Sequence, residues 1–484
     1  MNNKSPWPKP LRKYSIEVIR SLDEHQYYAV IEMLRRRAKK NSQIGGKYKR
    51  HLRRKFSYPT GPKGRVRNYA PTELLRWKKK DCDLLSSFYR ERDQNWIPIK
   101  LRKIRSKIHD VNNFSFIDNP HETLDSLHRI SKLEAEELEV RIDFKDKKIS
   151  DIGPYLVWGL MRKKMAPIST GGSMDGAIQH VLNAVGLDQY LNIQLSERIP
   201  SEDIWSFPFR ERSAERSTNH NAAISIPTFT KVADDLVKTI DHWLSKAITP
   251  PLALAKTGRG HVTGLVGEVL NNAERHSVPS RDGGWVVAGF MCRREAENKP
   301  QGDFICNLTF ISRGMSIAES ISAPEDTKTA EHLERYLSLH MPSIFKKGVD
   351  PELLKTVFAL QDGNSRLLNE DSIGGIGLMD IISFTNILGI TDNPDLRPRV
   401  TILSGNACIM LKDQYAAPYS PQGEETFEIE GKRMQWFNHA KSLDIAPDPD
   451  YVFLTKFKFP GTVITLRFCL DGEVLPKVAA NGND

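Results

Sequence analysis

The sequence lacks the features that mark membrane and secreted proteins. No stretch approaches the roughly eighteen uninterrupted apolar residues that a membrane-spanning helix requires. Residues 1–15 have no apolar core of a secretory signal, and Pro6, Pro8 and Pro10 would disrupt an amphipathic targeting helix. We therefore expect a cytoplasmic protein that does not use the membrane as a partner.

Cysteine is also scarce, with 5 residues in a chain of 484. No CxxC pair occurs, and no spacing of cysteine and histidine is typical of a zinc site. A free cysteine usually behaves as a small buried apolar residue. We therefore expect reduced core thiols, without disulfides, at Cys82, Cys292, Cys306, Cys408 and Cys469.

Length and charge divide the chain into parts. A chain of 484 residues predicts two or three folded units. Residues 1–110 hold 30 Lys and Arg against 10 Asp and Glu, a local net charge of +20, so the remainder carries −10 of the overall +10. We expect this basic region to be mainly helical. It suits either partner docking or, because tyrosines and tryptophans are interleaved, binding to nucleic acid.

From residue 111 to residue 195 the pattern alternates strands with helices and predicts an α/β domain. Its order resembles the STAS domain of anti-sigma-factor antagonists, in which a Ser that can be phosphorylated precedes the glycine that opens a helix. Here Ile152 precedes Gly153, and Ser150 lies nearby. Residues 196–227 show no clear periodicity and are interpreted as a linker. The predicted elements are a strand over 139–144 and helices over 153–164, 173–185 and 228–246.

The segment 261–277 predicts a helix that carries three polar residues beside a buried stripe. Glu268, Asn272 and His276 are spaced four apart and therefore lie on successive turns of one edge. Polar groups next to a buried face are costly unless something binds them. An amide oxygen suits magnesium, and a carboxylate one turn away can orient or deprotonate water.

This pattern, E-x-x-x-N-A-x-x-H, resembles the N-box of GHKL ATPases, the superfamily of gyrase, heat-shock chaperones, histidine kinases and mismatch-repair proteins. It is most like the anti-sigma-factor serine kinases and other stand-alone bacterial members. The resemblance implies ATP and Mg²⁺ as cofactors, with Asn272 holding the metal, Glu268 as catalytic base and His276 within the nucleotide site. The alternative is an ordinary amphipathic helix with polar residues at its margin.

Three later segments follow in the order of that family. The strand FICNLTFISR and the turn at Gly314 resemble the adenine-recognition box, with Ser312 at the position of the family's Asp. Serine can accept a hydrogen bond but lacks the strength of a carboxylate, so adenine specificity is left open. A second glycine box comes before a predicted helix, where backbone N–H groups attract phosphate. Its glycines are Gly374, Gly375 and Gly377.

Two further residues complete the resemblance. Arg366, just before the glycine box, is interpreted either as a γ-phosphate ligand or as an exposed surface arginine. The strand FPGTVITLRF begins with Gly461 and Thr462, similar to the family's closing strand, whose Thr helps to hold adenine. Residues 318–373 between the two boxes predict a lid with helices of its own.

The resemblance implies a Bergerat-type two-layer α/β sandwich over 228–470, with a mixed sheet, helices on one face and an insertion at 415–450. The STAS-like domain and basic region precede it, and residues 471–484 form a tail. We expect an intracellular ATP-binding regulator that hydrolyses ATP slowly, closes its lid and changes its contacts with a protein partner or a second copy. The alternatives are a nucleic-acid-binding protein with a degenerate nucleotide sensor and a serine kinase of the anti-sigma type.

Overall fold

The computed structural model describes most of the chain from residue 82 onward: residues 82–90, 107–136, 140–165, 169–191, 204–213, 228–247, 251–276, 284–296, 299–322, 324, 326–340, 348–364, 377–389, 393–416, 428–429 and 432–470. They form two compact units. The first contains the described residues up to Val111, Leu127–Lys145 and Leu160–Ser173; the second contains Asn112–Ser126, Asp146–Gly159 and the described residues from Met174 onward. None of the described helices has the length and apolar character needed to cross a membrane.

The first unit is built around a parallel three-stranded sheet. Its strands are β1 (Lys107–Val111), β2 (Val140–Phe144) and β3 (Ser169–Ser173), in the order β1-β2-β3. Parallel neighbours need a crossover connection, and the chain supplies helices α2 (Pro120–Glu136) and α3 (Gly153–Arg162) between the strands, with the first part of each helix assigned to the second unit. The short helix α1 (Asp83–Phe88) precedes β1. The predicted α/β class is thereby confirmed, although β1 begins before the expected boundary at 110.

The second unit is built around a five-stranded sheet. Its strands are β4 (Ile204–Ser213), β5 (Gly284–Ala296), β6 (Lys299–Arg313), β7 (Arg399–Leu411) and β10 (Val452–Cys469), in the order β4-β5-β6-β10-β7. Its helices are α4 (Gly176–Val185), α5 (Leu187–Leu191), α6 (Phe229–Ala247), α7 (Lys256–His276), α8 (Ile317–Ile321), α9 (Thr327–Leu339), α10 (Pro351–Leu360) and α11 (Gly377–Leu388). Two short strands, β8 (Glu428–Ile429) and β9 (Lys432–Arg433), form a separate pair.

Every neighbouring pair in the five-stranded sheet is antiparallel, so the prediction of a mixed sheet was wrong. The edge strand β4 lies inside the predicted linker 196–227, and the linker interpretation was wrong for these ten residues. The register shifts between Phe207 and Arg210, with Pro208 between them. A bulge and a proline break the two-residue alternation of a strand, which explains why no periodicity was visible in the sequence.

One face of this sheet packs against α6, α7 and α11. Alternate residues of β6 and β10 share a hydrophobic cluster with these helices, which confirms the helical predictions over 228–246 and 261–277. The strand residues in the cluster are Phe304, Cys306, Leu308 and Phe310 of β6 and Ile464, Leu466 and Phe468 of β10. Residues two positions further along the same strands therefore also face the helices.

Residues that precede the predicted sandwich over 228–470 lie against the opposite face of the sheet. A methyl group placed on Gly153 would lie 3.0 Å from Phe116 Cδ2 and 3.3 Å from Thr309 Cγ2 of β6. Arg399 of β7 forms an ion pair with Asp118 at 3.1 Å. Strands buried on both faces are nearly continuously apolar rather than alternating, and the run of β7, VTILSGNACIML, has that character.

The residue that organises this covering layer is Asp151, which has no exposed surface. Its carboxylate accepts hydrogen bonds from Ser115 Oγ at 2.6 Å, Ile117 N at 3.3 Å and Gly153 N at 3.0 Å. Burial raises the pKa of Asp151 to about 6, while the three hydrogen bonds act in the opposite direction. Asp151 thus joins the loop after β1 to the start of α3.

The segment predicted to be a lid, 318–373, does contain helices: α9, α10 and most of α8. However, α10 buries Leu354, Val357 and Leu360 in the same hydrophobic cluster as the sheet. The Glu352 carboxylate accepts a hydrogen bond from Asn406 N of β7 at 2.8 Å. Helix α10 is therefore a fixed part of the second unit and not itself a lid.

All five cysteines lie among the described residues and are free, as predicted. Four are buried, and Cys292 is half-buried. Burial raises the pKa of the Cys306 and Cys408 thiols, which keeps them protonated and unreactive.

Candidate functional site

Helix α7 is held in a defined position by polar contacts near both ends. Near its carboxyl end, Glu274 accepts a hydrogen bond from Trp285 Nε1 at 2.9 Å and forms an ion pair with Arg212. Near its amino end, Arg259 forms an ion pair at 2.9 Å with Asp241 of α6, which also accepts a hydrogen bond from Leu254 N. The last turns of α7 therefore lie over the strands that carry Arg212 and Trp285.

Helix α11 packs against α7 in the antiparallel sense. A methyl group on Gly264 would lie 2.7 Å from the Phe384 ring, so this close approach requires a residue without a side chain. Glu268 lies one turn after Gly264 on α7, and Asp380 lies one turn before Phe384 on α11. The negative charge of Asp380 acts on Glu268 and raises its pKa. Continuing by about one more turn brings Asn272 level with Gly377, the first residue of α11.

Glu268 is half-buried, and its pKa is raised. The largest cause is loss of hydration on burial, followed by repulsion from Asp380, and Arg275 opposes both. A carboxylate with a raised pKa is a better proton acceptor near neutral pH than an ordinary surface glutamate. Two neighbouring carboxylates also attract a cation, which would relieve their repulsion.

Asn272 lies on the edge of α7 that faces away from Glu274. The two residues are two positions apart, which is about 200° around a helix axis. Because Glu274 points towards β4 and β5, Asn272 points towards the opposite edge of α7, on the α11 side. Asn272 is half-buried, and within the described part of the chain its side chain has no hydrogen-bond partner.

The strands beneath α7 place five residues side by side in one row. Arg212 is opposite Trp285, Trp285 is opposite Ser312, Ser312 is opposite Thr462, and Thr462 is opposite Ser404. Ser312 lies two positions after Phe310, and Thr462 lies two positions before Ile464. Because Phe310 and Ile464 face the helices, Ser312 and Thr462 face them as well. We call Ser312, Thr462 and Ser404 the hydroxyl row.

Two glycines allow the hydroxyl row to form. Gly461 has φ of 132°, and a Cβ there would lie 2.1 Å from the Ser312 carbonyl oxygen. Gly314 has φ of 131°, and its N–H donates to Pro460 O at 3.3 Å. Both conformations are accessible to glycine and strained for other residues. The structure thus places Thr462 beside Ser312 and close to Gly314, from which it is far apart in sequence.

Not every residue expected at the site can be placed. Arg366, Gly374 and Gly375 lie outside the described residues. His276 ends α7, but its side chain is also outside the described part.

Two residues at the site were missed from the sequence. Asp380 lies three positions after Gly377, in a helix that was predicted from its apolar residues alone. Ser404 lies in a mostly apolar strand, where nothing in the sequence marks its hydroxyl as part of a site.

The oxygen atoms at the site suit magnesium. Among the described residues there is no group of three or more His, Cys, Asp or Glu side chains placed to hold a metal ion. Magnesium, however, commonly uses only one or two protein oxygens and takes its other ligands from phosphate and water. The Asn272 amide and the Glu268 and Asp380 carboxylates are hard oxygen donors of this kind.

The chain matched no protein-family model, no curated protein and no solved structure. The positions of α7, α11 and the hydroxyl row are therefore the basis on which a function is assigned.

Proposed function

We propose that the second unit binds a nucleoside triphosphate with Mg²⁺ in the manner of a GHKL ATPase and hydrolyses it slowly as part of a regulatory cycle. One observation carries this proposal: Glu268 of α7 is half-buried, has a raised pKa and lies beside Asp380 in the first turn of α11, with Asn272 one turn further along α7. These oxygen-bearing side chains are suited to holding a metal and to accepting a proton near the start of α11.

The phosphate end is the start of α11. Helix α11 spans Gly377–Leu388, and the first N–H groups of a helix have no partner within the helix. Together with the helix dipole, they attract an anionic group. Asp380 in the first turn is negative, so a metal ion held by Asn272 would offset its repulsion of phosphate. When bound, Mg²⁺ would neutralise the phosphate charge and orient the terminal phosphoryl group.

Glu268 is the proposed general base. It is half-buried, carries a raised pKa and lies one turn before Asn272 on the same edge of α7. In this position it would accept a proton from a water molecule directed at the terminal phosphate. The base end of the nucleotide would lie against Ser312 and Thr462.

The proposal is tested by binding and phosphate release in three variants of the full chain. Asn272→Ala should lose Mg²⁺-dependent ATP binding, whereas Asn271→Ala, the adjacent half-buried amide, should bind as wild type. Glu268→Gln should keep binding and lose at least about tenfold in hydrolysis, because general-base catalysis commonly contributes about a hundredfold or more. Wild-type turnover in both Asn272→Ala and Glu268→Gln would refute the proposal.

A serine kinase would use the same site differently. Transfer of labelled phosphate from ATP to a serine of a protein partner or of the chain itself would favour the kinase. Release of free phosphate alone favours hydrolysis.

The charge distribution supports a second candidate function, binding of nucleic acid by residues 1–110, which carry a net charge of +20. Such binding would be driven by the release of counterions and would weaken steeply with salt. Filter binding of the full chain to RNA and DNA between low and physiological salt tests it. Salt-sensitive retention unaffected by ATP would favour this function, and no retention at low salt would exclude it.

A further inference from the structure

The carboxyl end of α7 is attached to the edge of the sheet by one carboxylate. Glu274 Oε1 accepts a hydrogen bond from Trp285 Nε1 of β5 at 2.9 Å and forms an ion pair with Arg212 of β4. Arg212 and Trp285 lie opposite each other in the register of the two strands. Glu274 thus joins the last turn of the helix to both strands at one point.

The helix itself does not favour an acid at this position. The free carbonyl groups in the last turn of a helix give its carboxyl end a partial negative charge, which repels a carboxylate. The Arg212 guanidinium and the N–H of the buried Trp285 offset this repulsion. The stabilisation of Glu274 therefore comes from the strands, and it is lost if the end of α7 turns away from them.

Asn272 is coupled to Glu274 by the geometry of the helix. The two residues are about 200° apart around the axis within one turn. A rotation of this turn that separated Glu274 from Arg212 would move Asn272 through the same angle, away from its direction towards α11. Metal sites are sensitive to such changes, because loss of a group that orients a ligand commonly lowers metal affinity by about 10–100-fold.

We infer that Arg212 and Glu274 are positioning residues that hold the Asn272 amide towards the start of α11, an inference that rests on the proposed nucleotide-binding function. Neither side chain contacts the metal or the nucleotide: Arg212 acts through Glu274, and Glu274 acts through the backbone of α7. Because Arg212 belongs to the edge strand β4, against which α4 packs, the metal site also depends on the docking of β4 against β5.

The same helix provides a matched control. Arg259 near the amino end of α7 forms an ion pair with Asp241 at 2.9 Å, and like the pair of Arg212 with Glu274 it is partly exposed. Arg259 lies more than three turns before Asn272, about 20 Å along the axis. Arg259→Met therefore removes an ion pair of α7 at a point that does not orient Asn272.

The test measures ATP binding to the full chain by isothermal titration calorimetry over a series of Mg²⁺ concentrations. Arg212→Met and Glu274→Met should each raise the Mg²⁺ concentration for half-maximal binding at least about fivefold, a smaller effect than loss of a group that contacts the ligand directly. The double variant should resemble the single variants, because the two residues act as a pair. Arg259→Met should stay within about twofold of wild type, because its site is distant.

A milder variant keeps the inference testable if Glu274→Met does not fold. Glu274→Gln keeps an acceptor for Trp285 Nε1 but carries no charge for Arg212. It removes the same ion pair as Arg212→Met and should therefore require the same increase in Mg²⁺. Thermal unfolding of each variant checks that the ion pairs of Arg212 and Arg259 contribute comparably to stability.

Hydrogen exchange gives a readout other than binding. If the docking of β4 orients the metal ligand, then Mg-ATP must in turn stabilise the docking of β4, because coupling between two equilibria is reciprocal. Saturating Mg-ATP should slow exchange of the backbone amides of β4 in the wild type. In Arg212→Met the same concentration should leave their exchange unchanged.

The outcomes separate the inference from the function on which it rests. An unchanged Mg²⁺ requirement in Arg212→Met, or an equal increase in Arg259→Met, would overturn the inference and leave nucleotide binding intact. Exchange in β4 that does not respond to bound Mg-ATP in the wild type would also overturn it. Failure of the wild type to bind ATP in the presence of Mg²⁺ would refute the proposed function itself.

Discussion

Two carboxylates of the second unit, Asp151 and Glu268, both have raised pKa values but occupy opposite faces of the five-stranded sheet. Asp151 is fully buried and accepts hydrogen bonds from Ser115, Ile117 and Gly153. Glu268 is half-buried, and among the described residues the charges that shift its pKa are Asp380, which repels it, and Arg275, which opposes the shift. Each carboxylate has a like charge nearby, Asp118 for Asp151 and Asp380 for Glu268, but among the described residues only Asp151 also accepts hydrogen bonds.

The difference indicates what each carboxylate is for. A buried carboxylate surrounded by donors holds segments of backbone together, and its removal leaves those donors unpaired. A half-buried carboxylate beside a like charge is poorly stabilised by the protein alone, which is typical of a group that meets a ligand. Asp151 is therefore interpreted as structural and Glu268 as functional.

The largest expected effect comes from removing each carboxylate in turn. Asp151→Ala should lower the free energy of unfolding by about 4 kcal/mol, since three buried donors lose their acceptor. Glu268→Gln should change the free energy of unfolding by no more than about 0.5 kcal/mol, because a half-buried carboxylate with a repulsive neighbour contributes little to stability. Urea unfolding of both variants at pH 7 measures this contrast, and equal losses would remove the distinction between the two carboxylates.

The pH dependence of stability gives the next largest effect. The pKa of Asp151 is raised from 3.8 to about 6, so between about pH 4 and pH 6 the folded state keeps a proton that the unfolded chain has lost. The part of the stability that comes from this extra bound proton, about 3 kcal/mol, is fully present below about pH 4 and is lost as the pH rises through about 6, whereas the hydrogen bonds to Asp151 remain at pH 7.

The difference in unfolding free energy between wild type and Asp151→Asn, measured from pH 4 to pH 7, should follow this curve. The exposed Asp125→Asn serves as the control. A difference that does not vary with pH would show that Asp151 is not the titrating group.

The order of the elements around α7 could be predicted from the sequence, but their neighbours across the sheet could not. Three elements have local sequence patterns that predict them, either a hydrophobic periodicity or a glycine turn: the helix over 261–277, the strand ending at Arg313 and the strand after Gly461. Contacts such as Ser404 with Thr462 depend on strand pairing over 57 intervening residues, which no local pattern encodes. Asp380 was missed for the same reason, since only the antiparallel packing of two helices brings it beside Glu268.

The errors in the predicted fold have a physical cause. Strand β4 was taken as linker because the bulge at Pro208 interrupts its alternation. The covering of the second face was missed because Asp151 and Ser115 look like ordinary loop residues until the structure shows them buried.

A smaller effect tests whether α7 and α11 must approach closely to form the site. Gly264→Ala places a methyl group within 2.7 Å of the Phe384 ring and should lower stability by about 1–2 kcal/mol while weakening nucleotide binding. Gly260→Ala, in the same helix with nothing within 4 Å, should raise stability by up to about 1 kcal/mol. Thermal unfolding measures the stability of each variant, and calorimetry measures its nucleotide binding. Identical results for Gly264→Ala and Gly260→Ala would argue against a role for the contact between Gly264 and Phe384.

The central claim is that the second unit binds a nucleotide through magnesium, and the most direct measurement is thermal unfolding of the full chain with ATP, in the presence and absence of Mg²⁺. A ligand that binds only the folded state at about 100 times its Kd stabilises it by about 2.7 kcal/mol. We predict a clear rise in the unfolding midpoint with ATP and Mg²⁺ together and little change with either alone. No rise, or the same rise without Mg²⁺, would contradict the placement of a metal between Asn272 and the start of α11.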